Sequence, residues 1–157
     1  MLFNAPKGGE NQDRIKALIL TPTRELAIQI AENFEAYGKN TGLRTAVIFG
    51  GVGQAPQVKI LRRGVDILIA TPGRLLDLVN QKHINLGYVK TLVLDEADRM
   101  LDMGFAPQLK NIQSTLRGPR QTMMFSASFS QAIESMAQLF IGESAALVRT
   151  EKAEAPV

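Results

Sequence analysis

The segment "LVLDEAD" ends an apolar run in two adjacent carboxylates, Asp95 and Glu96, and a third, Asp98, follows two residues later. Acids this close repel one another unless a cation offsets them. A carboxylate at the end of a buried strand can hold Mg²⁺, usually through water, because this small hard ion keeps much of its hydration shell. Its neighbour can then polarise a water that attacks a terminal phosphate. Asp95 is therefore assigned to the metal and Glu96 to the attacking water. Asp98 is a candidate partner for the hydroxyls of "SAS", Ser126 and Ser128. The plain alternative is a helix start, where Asp and Glu are favoured; the buried strand in front tips the reading towards the cation.

Two further segments share a design. In "TPTREL" and "ATPGRL" an apolar run ends in Thr-Pro, and a helix begins near an arginine. Backbone N–H groups at a helix start, threonine hydroxyls and a guanidinium together suit phosphate. Pro22, Thr23, Arg24 and Glu25 form the first copy, and Thr71, Pro72, Gly73 and Arg74 the second. A single copy would be ordinary helix-start chemistry. Two copies, with Gly50 and Gly51 closing a third apolar run, point to a row of backbone phosphates, since glycine lets a phosphodiester approach the main chain. Arg62 and Arg63 suit a helix end, His83 reads as a solvated loop residue, and Met123 and Met124 as core.

Something must hold these endings along one line. Short strand-like runs in "ALIL" (Ala17–Leu20), "TAVIFGG" (Thr45–Gly51), "DILIATPG" (Asp66–Gly73), "TLVLDEAD" (Thr91–Asp98), "QTMMFSAS" (Gln121–Ser128) and "AALVRT" (Ala145–Thr150) alternate with helical patterns. The first such pattern carries Ala27, Ile30, Ala31, Phe34 and Tyr37 on one face. Six strands and five helical segments in alternation predict a three-layer α/β domain around a mostly parallel sheet, with helices on both faces. In such sheets ligands gather at the carboxyl ends of the strands, where all the motifs above lie.

Composition agrees with one soluble domain. The chain has 157 residues, 45% hydrophobic and 21% charged. A net charge of +3, from 18 basic against 15 acidic residues, permits an anionic partner without demanding one. The absence of cysteine rules out disulfides and thiolate metal sites. No apolar stretch is long enough to cross a bilayer, so the cytoplasm is the expected location. The chain is read as a loose segment 1–15, a domain over 16–150 and a tail over 151–157.

"PTRELA", "GG", "TPGR", "DEAD" and "SAS", in this order, resemble the first RecA-like domain of DEAD-box RNA helicases, with wording closest to the bacterial RhlE-type subgroup. The resemblance implies a P-loop NTPase type fold, ATP and Mg²⁺ as cofactors, and RNA as partner through largely sequence-independent backbone contacts. Asp95 and Glu96 match the Walker B pair. Asp98, Ser126 and Ser128 match the contact that couples hydrolysis to strand separation. Pro22 to Glu25, Gly50, Gly51 and Thr71 to Arg74 match the lining of the RNA path. "SAS" stands where the family usually has Ser-Ala-Thr, losing one methyl.

A larger departure is the lack of G-x-x-x-x-G-K-[ST], the phosphate loop, anywhere in the 157 residues. The expectation is a domain missing its first strand and phosphate loop, with Met1 standing at an internal position of the family's pattern. Such a chain should bind neither ATP nor Mg²⁺ tightly alone. It should depend on the missing helicase segments or second RecA-like domain, and it should leave an interior strand edge open to self-association. The competing readings are a non-catalytic RNA-binding chain and an unrelated Mg²⁺-dependent phosphate enzyme.

Overall fold

Four-residue runs rich in leucine, isoleucine and valine form four strands of the sheet, and Gln-Thr-Met-Met forms the fifth, each closed by a polar or glycine-rich turn. The computed structural model describes residues 14–150. In chain order the elements are β1 (Ala17–Leu20), α1 (Arg24–Gly38), β2 (Thr45–Ile48), α2 (Ala55–Arg62), β3 (Ile67–Ala70), α3 (Pro72–Asn80), β4 (Thr91–Leu94), α4 (Ala97–Asp102), α5 (Ala106–Thr115), β5 (Gln121–Met124) and α6 (Gln131–Phe140). The strands pair in the order β2-β3-β1-β4-β5, all parallel. This is the expected RecA-like α/β sheet. The segments 1–13 and 151–157 lie outside the described residues, and Ile15, just before β1, is buried.

The two faces are filled differently. Leu18, Leu20, Ile48, Leu68, Leu92 and Leu94 point into the larger core, closed by Leu75 and Leu78 of α3, Leu109 and Ile112 of α5, and Ile133, Met136 and Phe140 of α6. Ala17, Ile19, Ile67 and Ile69 point the other way, against Ala27 and Ala31 of α1. Helix cover on that second face is complete over β1 and β3 and fails towards β5. Met123, in register with Val93 and Ile19, is 37% exposed there. The reading of Met123 as core is corrected accordingly, while Met124 packs against the core.

Three other expectations change. Ala145–Thr150 is not a strand: it has no ladder partner among the described residues, and Leu147 and Val148 are exposed. A strand needs a neighbour for its N–H and C=O groups, and no described strand pairs with this segment. The sheet therefore has five strands rather than six. Tyr37 is 88% exposed although it continues the apolar stripe of α1. A 15-residue helix runs about 22 Å and outlasts a four-residue strand of roughly 13 Å, so its last turn passes the sheet. The helix after "DEAD" is two helices, because Gly104 takes φ +82 and breaks the chain between α4 and α5.

Candidate functional site

Each strand ladder continues one residue past its strand, and this aligns the motifs. The N–H of Thr71 donates to Ile48 O, that of Thr21 to Ala70 O, that of Asp95 to Leu20 O and that of Phe125 to Leu94 O. The five endings therefore stand in a row at the carboxyl edge, in the order of the strands. Gly50–Gly51, Thr71–Arg74 and Pro22–Glu25 follow β2, β3 and β1, side by side. Asp95–Asp98 and Ser126–Ser128 follow β4 and β5 and occupy the other half. Strand order keeps the two groups that chain order already separates, and it sets the first motif, after β1, directly beside the acidic one after β4.

In the first half the arginines brace the loops. Arg74 donates from Nη2 to Val52 O at 2.7 Å and from Nη1 to Gln57 Oε1 at 3.2 Å. The Arg24 guanidinium lies 5.0 Å from the Phe49 ring centroid, joining the first Thr-Pro segment to the glycine loop. Thr23 caps α1 by accepting from Leu26 N, and Pro22 and Thr71 are buried. Glu25 is exposed in the first turn of α1. Gly51 has φ +80, a conformation costly for any residue with a Cβ. Gly50 and Gly73 carry no such demand, and a Cβ at either would meet nothing within 4 Å. Nothing in the fold itself requires glycine at those two positions.

The acidic half is built on a strained turn. Asp95 N–H bonds towards β1, whereas Ala97 N–H bonds to Phe125 O beyond β5. The chain must swing between neighbours within one residue, and Glu96 does so at φ 50, ψ 53. The left-handed conformation costs a non-glycine residue about 1–2 kcal/mol. Asp95 Oδ1 accepts from Glu96 N at 3.0 Å. Burial pushes the Asp95 carboxyl above its ordinary value; the bond from Glu96 N lowers it in part, and the Glu96 charge adds to the rise. A nearby cation would reverse that balance.

Among the described residues no group of three or more His, Cys, Asp or Glu could hold a metal. What the edge offers is one half-buried carboxylate with a strained, acidic neighbour. That fits Mg²⁺, which takes one or two carboxylates and completes its shell with water and phosphate. Glu96 Oε2 meets Arg99 Nη1 at 3.4 Å, an exposed pair that yields at little cost.

The expected contact between Asp98 and the "SAS" hydroxyls is not formed. Asp98 Oδ1 accepts from Arg99 N in the first turn of α4, and Ser126 Oγ donates to Ser128 O at 2.9 Å. Each polar group is satisfied locally, so neither reaches across. His83 is half-buried rather than solvated, beside a cavity of about 160 Å³ lined also by Arg14, Asn85 and Tyr88. Two residues missed by motif reading are Gln57, buried beneath the glycine loop, and Asp66, buried at the opposite edge.

A family model described as DEAD/DEAH box helicase matches residues 1–136. The chain belongs to the DEAD/DEAH box helicase family. It is 50% identical over 136 residues to DEAD-box ATP-dependent RNA helicase 30 of Arabidopsis thaliana, covering 87% of this chain and 23% of that protein. It is 48% identical over 126 residues to ATP-dependent RNA helicase dbp2 of Schizosaccharomyces pombe, covering 80% and 23%. The chain thus spans about a quarter of the length of these relatives. They are a plant and a fungal protein and lend no support to the narrower bacterial RhlE-type expectation. Among solved structures, a DEAD box protein from the hyperthermophile Methanococcus jannaschii superposes with a TM-score of 0.79 at 41% identity, over 85% of this chain and 36% of that one. The yeast DEAD-box splicing factor Prp28 gives 0.76 at 39%, over 82% and 31%. No described helix is long and apolar enough to cross a membrane.

Proposed function

We propose that this chain is the RNA-facing and Walker B portion of an ATP-dependent RNA helicase. One observation carries the reading: the strand order places the three phosphate-type motifs contiguously, with the acidic pair directly beside them on β4. In that arrangement Gly50, Gly51, Thr71 to Arg74 and Pro22 to Glu25 meet the RNA backbone. Asp95 would hold Mg²⁺, which would supply charge stabilisation at the phosphate, and Glu96 would orient the attacking water. Asp98 couples the two halves once Ser126 gives up its bond to Ser128 O. ATP enters with the segments that longer relatives possess, and the cytoplasm is the proposed location. The second reading, an RNA-binding chain without ATPase activity, draws on the absence of G-x-x-x-x-G-K-[ST] in these 157 residues. Salt-sensitive RNA binding that ATP leaves unchanged would be its mark.

Paired glycine substitutions test the RNA contact. Gly51→Ala should lower stability by about 1 kcal/mol or more, because an L side chain is strained at its positive φ. Gly50→Ala should leave stability within about 0.5 kcal/mol, since its surroundings are open. It should nevertheless weaken binding of a labelled oligouridylate about tenfold, roughly 1.4 kcal/mol. Unaltered affinity in Gly50→Ala, by fluorescence anisotropy, would remove the glycine loop from the RNA path.

The outer edge of β5 motivates the proposed self-association. Its backbone has no further strand beside it among the described residues, and Met123 and Phe125 are exposed there. Unpaired edges of this kind recruit another chain. Light scattering should give a mass that rises with concentration towards a dimer, and Met123→Lys should restore the monomer. A monomer at every concentration would count against it.

A further inference from the structure

Gln57 belongs to no motif, yet it is only 7% exposed and uses both ends of its amide. Nε2 donates to Phe49 O at 3.0 Å, and Oε1 accepts from Arg74 Nη1 at 3.2 Å. Arg74 in turn donates to Val52 O at 2.7 Å. The carbonyl before the two glycines and the carbonyl after them are therefore fastened to one joined pair of side chains. A loop reading Gly-Gly-Val-Gly would otherwise have the largest conformational freedom a backbone can have. The flanks are braced as well. Gln54 and Gln81 exchange two amide bonds, at 2.7 and 3.0 Å, tying the start of α2 to the end of α3.

A buried amide without partners costs about 1–3 kcal/mol, so an apolar side chain under the loop would be the cheaper core filler. The two bonds account for the amide's presence, and their consequence is a fixed loop. Arg74 connects that loop to the second Thr-Pro segment, so an order set at Gln57 extends over two of the three phosphate-type motifs. We propose that Gln57 is a positioning residue, holding the Gly50–Gly53 loop in the conformation in which it meets the RNA backbone. The inference rests on the RNA reading above for its second half only. Pre-ordering of the loop removes an entropy cost from binding.

The test uses Gln57→Met, which keeps the volume and removes both bonds, and Gln57→Glu, which keeps the acceptor for Arg74 but cannot donate to Phe49 O. Backbone ¹⁵N relaxation reads loop order in the free protein, and anisotropy reads binding of a labelled oligouridylate. In the Met variant the order parameters of Gly50 to Gly53 should fall from about 0.85 to below about 0.6, with the strands unaltered. Oligouridylate affinity should fall about tenfold, a loss of roughly 1.4 kcal/mol. The Glu variant should loosen Gly50 while Val52 stays ordered, a split that a loss of packing alone would not produce. Unchanged order parameters in both variants would overturn the proposal. So would a loosened loop with undiminished affinity. Failure of the wild-type chain to bind oligouridylate would instead overturn the RNA reading, and the relaxation data would still decide whether Gln57 orders the loop.

Discussion

Glu96→Gln, in a helicase-length chain carrying this domain, is expected to cut ATP hydrolysis by about two to four orders of magnitude, the usual contribution of a positioned proton acceptor. Nucleotide affinity should stay within about twofold, because a change confined to the chemical step leaves ground-state binding alone. The glutamine has the same length and keeps the turn, but it cannot accept the water's proton. Asp95, whose Oδ1 is held by the Glu96 backbone N–H rather than its side chain, stays in place for the cation. The Glu96 carboxylate is also available in a way Asp95 is not, since only an exposed pair with Arg99 restrains it. Single-turnover phosphate release and titration with a fluorescent nucleotide would separate the two quantities. Equal losses in both would mean that Glu96 holds the nucleotide or the fold, not the water. Without the phosphate loop, the 157-residue chain alone should show no turnover; Mg²⁺-dependent hydrolysis lost in Glu96→Gln would overturn that expectation.

What could be read in advance was local, and what could not depended on strand order. "ALIL" and "ILIA" are apolar throughout because both strands are covered on both faces, so they were legible as interior strands. The motifs were legible because each follows its strand directly. Their order along the edge was not: the first motif in sequence becomes the neighbour of the acidic one only once β1 is known to lie between β3 and β4. "AALVRT" has strand composition, but a strand also needs a neighbouring ladder, which composition does not reveal. Arg74 reads equally well as a phosphate ligand or a loop brace. The bond to Val52 O shows that it already has the second role, and its other N–H groups remain compatible with the first. Gln57 gave a weak signal, a polar residue at a buried helix position, that nothing in the sequence distinguished from a surface glutamine.

Asp66→Ala is expected to cost about 3 kcal/mol at neutral pH, the low end of the range for removing one partner of a buried ion pair. The reason lies again in strand order. Arg44, Asp66 and Lys16 each stand immediately before a strand, and β3 lies between β2 and β1, so the acid falls between the two bases. Its Oδ2 accepts from Arg44 N at 2.8 Å and Nε at 3.1 Å, and its Oδ1 faces Lys16 Nζ at 3.4 Å. The Asp66 side chain is 8% exposed, whereas Arg44 and Lys16 keep more contact with water, which is why the low end applies. Burial raises the carboxyl's pKa, but hydrogen bonds from the Arg44 side chain and backbone, with the charges of Arg44 and Lys16, outweigh it and hold the group below its ordinary 3.8. A folded-state value below the unfolded one means that the unfolded chain binds the proton more readily. The contribution is therefore fully present above the unfolded value and is lost as pH falls through the folded one. Urea denaturation of wild type and Asp66→Asn between pH 7 and pH 3 should show a gap that is constant down to about pH 5 and narrows progressively below it. A gap that persists unchanged in acid would mean that the side chain's shape, rather than its charge, fastens the three strand starts together.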